Sequence, residues 1–180
     1  MQNHKKVSEN KNILTRAIIT TPLGDMIALV NDHALVLLEF ADCFKLEREI
    51  KKLKTSTQST IVSGTTALTT LLTQELNHYF TGTLQTFTTP LHFFGSSFQQ
   101  RVWQALQQVP YGATTSYATL ANAIEKPSAY RAVAQGNATN RLAIIIPCHR
   151  VINKNAQLGG YAGGLSRKEF LINHEKSNNK

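Results

Sequence analysis

Cysteine is scarce in this chain. Cys43 and Cys148 are the only two in 180 residues, too few for a disulfide framework and not a pair of closely spaced metal ligands. Reduced thiols suit a reducing compartment. No apolar run is long enough to span a bilayer, and the first dozen residues lack a signal-peptide hydrophobic stretch, so the sequence points to an intracellular, cytoplasmic protein with no membrane partner. Acid is scarce as well: 11 Asp and Glu stand against 19 Lys and Arg, a net charge of +8. The excess is not spread evenly. From Gly95 onward ten Lys and Arg meet only Glu125, Glu169 and Glu175, while the amino-terminal half is nearly neutral. A basic half of this kind favours a polyanion such as nucleic acid, although solubility alone accounts for a moderate excess.

With 42% hydrophobic residues and a mean hydropathy of −0.20, the chain reads as globular and large enough to bury a real core, as one large or two small domains. Met1 to Asn12 is polar and reads as a frayed tail. Arg16 to Thr21, Met26 to Val30 and Leu35 to Phe40 read as strands of a meander, separated by turn-forming Pro22-Leu23-Gly24 and Asn31-Asp32-His33. Phe44 to Leu53 suits a short helix and Lys54 to Thr60 a polar loop. In Thr65 to Phe80, Leu68, Leu71, Leu72, Leu76 and Phe80 recur at helical spacing, and Gly82 ends the run. Cys43, His33 and His78 are scattered through this α+β unit and read as packing residues; no metal and no cofactor is expected.

Thr83 to Leu91 bridges to a second, helical part. Phe98, Val102, Ala105, Leu106 and Val109 line one face of a helix that Pro110-Tyr111-Gly112 stops. Tyr117 to Glu125 forms the next, capped by Thr115 or Ser116 and turning Leu120, Ala121 and Ile124 inward. After Lys126-Pro127, Ser128 caps a further helix reaching about Ala138. Two short helices across a tight turn make a helix-turn-helix pattern, though helical domains contain many such pairs.

The chemistry concentrates in NRLAIIIPCHRVI, Asn140 to Ile152. Ile144, Ile145 and Ile146 read as a strand buried on both faces, which Pro147 stops. Cys148 follows at once. A free thiol is mostly protonated at neutral pH, so a nucleophilic cysteine needs a base or a nearby positive charge, for which His149 and Arg150 are candidates. Unpaired cysteine also packs commonly as a small hydrophobe, and neighbours on an extended chain point to opposite faces. A bridging water or a turn is then required to join thiol and imidazole.

Pro147-Cys148-His149-Arg150-Val151 resembles the active-site motif of the O6-alkylguanine-DNA alkyltransferases, or methylated-DNA-protein-cysteine methyltransferases. FQQRVWQAL from Phe98, SYATLANAI from Ser116, YRAV from Tyr130 and GYAGGLSRK from Gly160 resemble further family segments in family order, covering roughly Phe98 to Glu175. The resemblance implies an α+β fold: a small amino-terminal α/β domain with an antiparallel sheet over residues 13–91, and over 92–180 a mainly helical domain with a winged-helix-like helix-turn-helix.

It also implies a function, direct-reversal DNA repair by a monomer on duplex DNA carrying O6-alkylguanine, with O4-alkylthymine as an alternative lesion. Cys148 would accept the alkyl group once. His149 would draw off the thiol proton through water, and Glu175 would hold the imidazole, although a helix-end glutamate is otherwise a solvated residue. Ser166 and Glu169 read as a capping box opening its helix. Asn140 matches the asparagine joining recognition helix to active-site segment, here followed by Arg141 where proline is usual. Tyr117 would donate to the departing guanine; without the resemblance it is a helix-start aromatic of the core.

Arg131 would fill the gap left by a flipped base, or simply touch phosphate. Ala129, Ala132 and Ala134 suit close approach to the groove, while Tyr130 is bulkier than the family residue. Pro147, Val151, Tyr161, Ala162 and Gly163 would form the alkylguanine pocket, with backbone groups of Val151 and Ala162 reading the base edge; Ala162 stands where serine is common. Gly159, Gly160, Gly163 and Gly164 keep this loop compact. Two rival readings stand beside it, a Cys-His-Glu hydrolase with turnover and a non-catalytic helix-turn-helix regulator or damage sensor. The sensors of this type carry tryptophan in the nucleophile position, whereas this chain keeps Cys148.

Overall fold

The computed structural model describes residues 12–153 and 157–179, so all of the expected tail except Asn12 lies outside the described residues. The amino-terminal half is built on a four-stranded sheet in the order β3-β2-β1-β4, with β1 at Ile13–Thr21, β2 at Gly24–Val30, β3 at Leu35–Phe40 and β4 at Thr60–Ser63. The three meander strands are antiparallel. Thr21 pairs with Gly24 across the two-residue turn Pro22-Leu23, and Gly24, just after it, takes φ +107°, a conformation glycine adopts freely. The Asn31 side chain accepts from the backbone N–H groups of His33 and Ala34, which makes the second turn.

The stretch from Lys54 to Thr60 is not a loop. Helix α1, Leu46–Thr57, continues through its first residues, Gln58 closes it in the left-handed region, and β4 then pairs parallel to β1 from Ile13↔Thr60. At four residues β4 is too short to show an alternating pattern. Helix α2, Ala67–Phe80, opens with a capping box in which Thr66 and Thr69 satisfy each other's backbone N–H. Its Leu72, Leu76 and Tyr79 are buried with almost every residue of β2 and β3. Each large apolar side chain so buried contributes about 1.5–3 kcal/mol.

The second half holds α3 (Ser97–Gln107), α4 (Tyr117–Ala123), α5 (Tyr130–Ala138) and α6 (Leu165–Asn178), with a small parallel pair of β5 (Thr115–Ser116) and β6 (Val151–Ile152). Ser96 caps α3 and Ser116 caps α4. Val109 lies past the end of α3 yet remains buried. Trp103 donates its indole N–H to the Gly136 carbonyl at 3.0 Å, and a Cβ at Gly136 would meet Val102 at 3.2 Å, so the small residue lets α5 lie close against α3. α4 and α5 pack together as the expected helix-turn-helix.

Two expected caps are absent. A 3₁₀ turn over Pro127–Ala129 leads into α5, and no side chain, that of Ser128 included, caps it. α6 starts at Leu165 behind Gly164 at φ +93°, without a side-chain cap, so Ser166 sits inside the first turn and forms no capping box with Glu169.

The expected strand at Ile144 to Ile146 is also absent. Leu142 alone bridges to Leu38, through Leu38 N–H to the Arg141 carbonyl and Ala143 N–H to the Leu38 carbonyl. The chain then turns, with Ile145 N–H on the Ala143 carbonyl, Ile146 N–H on the Leu142 carbonyl, and Ile144 at φ +71°. All three isoleucines are buried. Their hydrophobicity forecast the burial, but the hydrogen bonds that hold the backbone are local ones. A β-branched residue in the left-handed region costs on the order of 1–3 kcal/mol, offset here by that burial. The contact with β3 therefore docks the turn leading to Cys148 directly onto the amino-terminal sheet.

Candidate active site

Cys148 opens a single 3₁₀ turn, Cys148–Arg150, after Pro147. Its residue exposure is 7%, and it lines a cavity of about 570 Å³ together with Asn140, Tyr161 and Ala162. The Asn140 amide N–H lies 3.1 Å from Sγ. That amide is itself fixed: Oδ1 accepts from Leu142 N–H at 2.9 Å and Nδ2 also donates to the Ile146 carbonyl at 3.0 Å. Burial pushes the Cys148 thiol up from its ordinary value, and the Asn140 hydrogen bond and the charge of Lys45 oppose it.

His149 is fully buried. Its Nε2 lies 2.7 Å from Glu175 Oε1, while Nδ1 has no partner among the described residues. With a carboxylate accepting at Nε2, the neutral ring carries its proton there and leaves a lone pair on Nδ1. Burial keeps the imidazole below its ordinary pKa despite Glu175, and this favours the neutral ring that can accept a proton.

Glu175 is 1% exposed, not a solvated helix end. Oε1 accepts from Tyr79 Oη at 2.8 Å, His149 Nε2 at 2.7 Å and Arg150 Nη2 at 3.0 Å; Oε2 accepts from Arg150 Nε at 2.7 Å and Gly112 N–H at 3.2 Å. Burial alone would raise its pKa, but the His149 hydrogen bond, with the ring's charge once it is protonated, and the hydrogen bonds and charge of Arg150 outweigh it and hold the carboxyl at about 2. Arg150 is thus committed elsewhere than the thiol: it pairs with Glu175, donates to the Val109 carbonyl and lies over the Tyr111 ring. Tyr79, Gly112 and Arg150 were not legible as partners of Glu175, because they come from α2, a loop and the Cys148 turn.

Tyr117, the first residue of α4, is half-buried, and its hydroxyl would stand 3.2 Å from a Cβ placed at Gly159, where glycine leaves room. Burial first, and then the charge of Cys148, hold its phenol protonated and able to donate. Tyr161 stands edge-on to His149 with ring centroids 6.5 Å apart. Of the five residues expected in the pocket, Tyr161 and Ala162 line the thiol's cavity. Pro147 faces a different cavity beside Tyr111, and Val151 is buried behind the turn with its carbonyl taken by Lys168 Nζ at 2.6 Å. Gly163 is packed so tightly on Phe40 that a Cβ would come within 2.8 Å of its ring. Lys168 also holds the Gly159 carbonyl at 3.1 Å, clamping the glycine loop to β6; a lysine inside a polar helix carried no sequence signal of this.

On the α4–α5 pair, Arg131 is exposed on α5 and rests over the Tyr130 ring at 5.5 Å, with Tyr130 itself 44% exposed. Ala132 is exposed, and Ala129 and Ala134 are half-buried.

A family model described as the DNA-binding domain of 6-O-methylguanine DNA methyltransferase matches residues 97–177. The constitutive methylated-DNA–protein-cysteine methyltransferase of Bacillus subtilis is 42% identical over 157 residues, 87% of this chain and 92% of that protein. The methylated-DNA–protein-cysteine methyltransferase of Mycobacterium tuberculosis is 50% identical over 103 residues, 57% of this chain and 62% of that protein. A crystal structure of the M. tuberculosis protein in complex with DNA superposes with a TM-score of 0.78 at 36% identity, covering 92% of this chain and 94% of the other.

Proposed function

The chain belongs to the methylated-DNA–protein-cysteine methyltransferase family, and from that footing we propose that Cys148 is the sulfur that receives the O6-alkyl group of alkylated guanine in duplex DNA. The observation that carries this assignment is the Cys148 thiol at the wall of a cavity, with the Asn140 amide 3.1 Å away and the neighbouring His149 fixed by Glu175 so that Nδ1 is free. His149 Nδ1 takes the thiol proton through a water molecule. The thiolate then attacks the alkyl carbon in line, the carbon–oxygen bond breaks, and the electron pair returns to the guanine. Tyr117 donates to the leaving base, which avoids a free guanine anion.

The thioether formed is unactivated, and no described side chain in the cavity offers a route to cleave it. Each molecule therefore acts once. The α4–α5 pair meets the duplex, with Arg131 entering the space left by the extruded base, and the basic carboxy-terminal half supplies the attraction to phosphate. Two free cysteines accord with a reducing, cytoplasmic compartment. Titration of the protein with O6-methylguanine duplex tests the single-use step. Repaired guanine saturates at one per chain, and continued repair past that point contradicts it.

A further inference from the structure

Lys45 belongs to the amino-terminal half, one residue before α1, yet it lines the cavity that holds Cys148. Its residue exposure is only 6%. Nζ donates to the Asn140 carbonyl at 2.8 Å and the Ala138 carbonyl at 3.3 Å, and lies 3.3 Å from Glu39 Oε2 on β3. All three partners are fixed: Glu39 by its place in the sheet, the two carbonyls by the end of α5. A buried ammonium is costly unless it is paired and hydrogen-bonded, and these contacts meet both conditions. Asn140 is thereby held twice over. Lys45 grips its carbonyl, and Leu142 and Ile146 orient its side chain toward Sγ.

We propose that Lys45 is a positioning residue for alkyl transfer: its ammonium anchors the backbone that aims the Asn140 amide at Cys148, and its positive charge faces the sulfur across the shared cavity. The role rests on Cys148 being the acceptor, and it gives the amino-terminal half a direct part in the chemistry. The other charged or titratable groups around this sulfur are Glu39 beside Lys45, Lys168 from α6, Tyr117 from α4, Tyr161 of the glycine loop and His149 next in the chain. Arg48, Lys52 and Arg141 also border the cavity, but all three turn to Glu49. Lys45 lowers and Glu39 raises the thiol's pKa, so removing each should move it in opposite directions.

The test follows the rate of Cys148 alkylation by iodoacetamide against pH, read by peptide mass mapping so that Cys43 does not contribute, without DNA. Single-turnover methyl transfer at saturating duplex and duplex affinity are measured alongside. For Lys45→Met the midpoint rises by about one unit, transfer slows about tenfold at neutral pH as that shift implies, and duplex affinity stays within about twofold. Lys45→Arg, which keeps the charge, recovers part of the loss. A folded Lys45→Met protein with an unchanged midpoint, or one that loses affinity and transfers at the wild-type rate, overturns the proposal. If Lys45→Met does not fold, Glu39→Gln decides: a lowered midpoint supports the role, and an unchanged or raised one overturns it. Because the midpoint is read without substrate, methyl found away from Cys148 in the wild-type protein would refute the acceptor assignment separately.

Discussion

His149 Nε2 and Glu175 Oε1 meet at 2.7 Å in a contact from which solvent is almost wholly excluded. The carboxylate is held in place by Arg150, Tyr79 and the Gly112 N–H, so the imidazole has one tautomer and one orientation. Charge balance at this spot lies between Glu175 and Arg150, which leaves the ring neutral and ready to accept a proton.

Glu175→Gln should be costly for the fold as well as for the reaction. It leaves the Arg150 guanidinium buried without its counter-charge, a loss of about 3–5 kcal/mol for a broken buried pair. Urea denaturation should show a midpoint lowered accordingly, and methyl transfer should fall by about 10²-fold as the imidazole loses its fixed tautomer. A variant as stable as wild type would mean that Arg150 finds another partner.

Stability should fall toward acid in two overlapping stages. His149 is held below its ordinary pKa of 6.5, so the unfolded chain binds this proton first and stability drops as pH falls below about 6.5. Glu175 has the depressed-carboxyl sign: its contribution is complete above its ordinary 4.5 and is lost as pH falls through that value toward about 2. The second stage is worth about 3 kcal/mol. Urea unfolding at a series of pH values should show both stages in wild type, and in Glu175→Gln the second should shrink to what Glu49 and Glu75, also held below their ordinary value, contribute; an undiminished second stage would assign it to those carboxylates.

Arg131→Ala should weaken repair of duplex DNA while leaving reaction with a free O6-alkylguanine base nearly unchanged, because Arg131 is exposed on α5, outside the lining of the thiol's cavity. Single-turnover rates on both substrates check this. Equal loss on the two would place Arg131 in the chemistry of the pocket instead of the extrusion of the base.

Tyr117→Phe removes a donor without removing the ring. Transfer at saturating duplex should slow by about 10–10²-fold, toward the lower end of general-acid contributions, with duplex affinity unchanged. A wild-type rate would return Tyr117 to a packing role.

The sequence made much of this legible and some of it not. The meander strands, α2, α3 and the helix-turn-helix followed from apolar periodicity and turn residues, and Cys148, His149 and Asn140 stood in one short segment. Periodicity could not separate a buried strand from a buried turn at Ile144 to Ile146, since both need apolar side chains and only the hydrogen-bond partners differ. β4 depended on a parallel partner far away in sequence. The same limit hid Tyr79, Lys45 and Lys168, whose places near the site arise from packing between segments roughly 100 residues apart or across a helix face, where spacing carries no information.

The atom that carries the alkyl group after repair decides the function. Peptide mass mapping after mixing with an O6-methylguanine duplex should place one methyl on Cys148 of the wild-type protein and none on any residue of Cys148→Ala. Methyl on Cys43, or on the alanine variant at all, would contradict it.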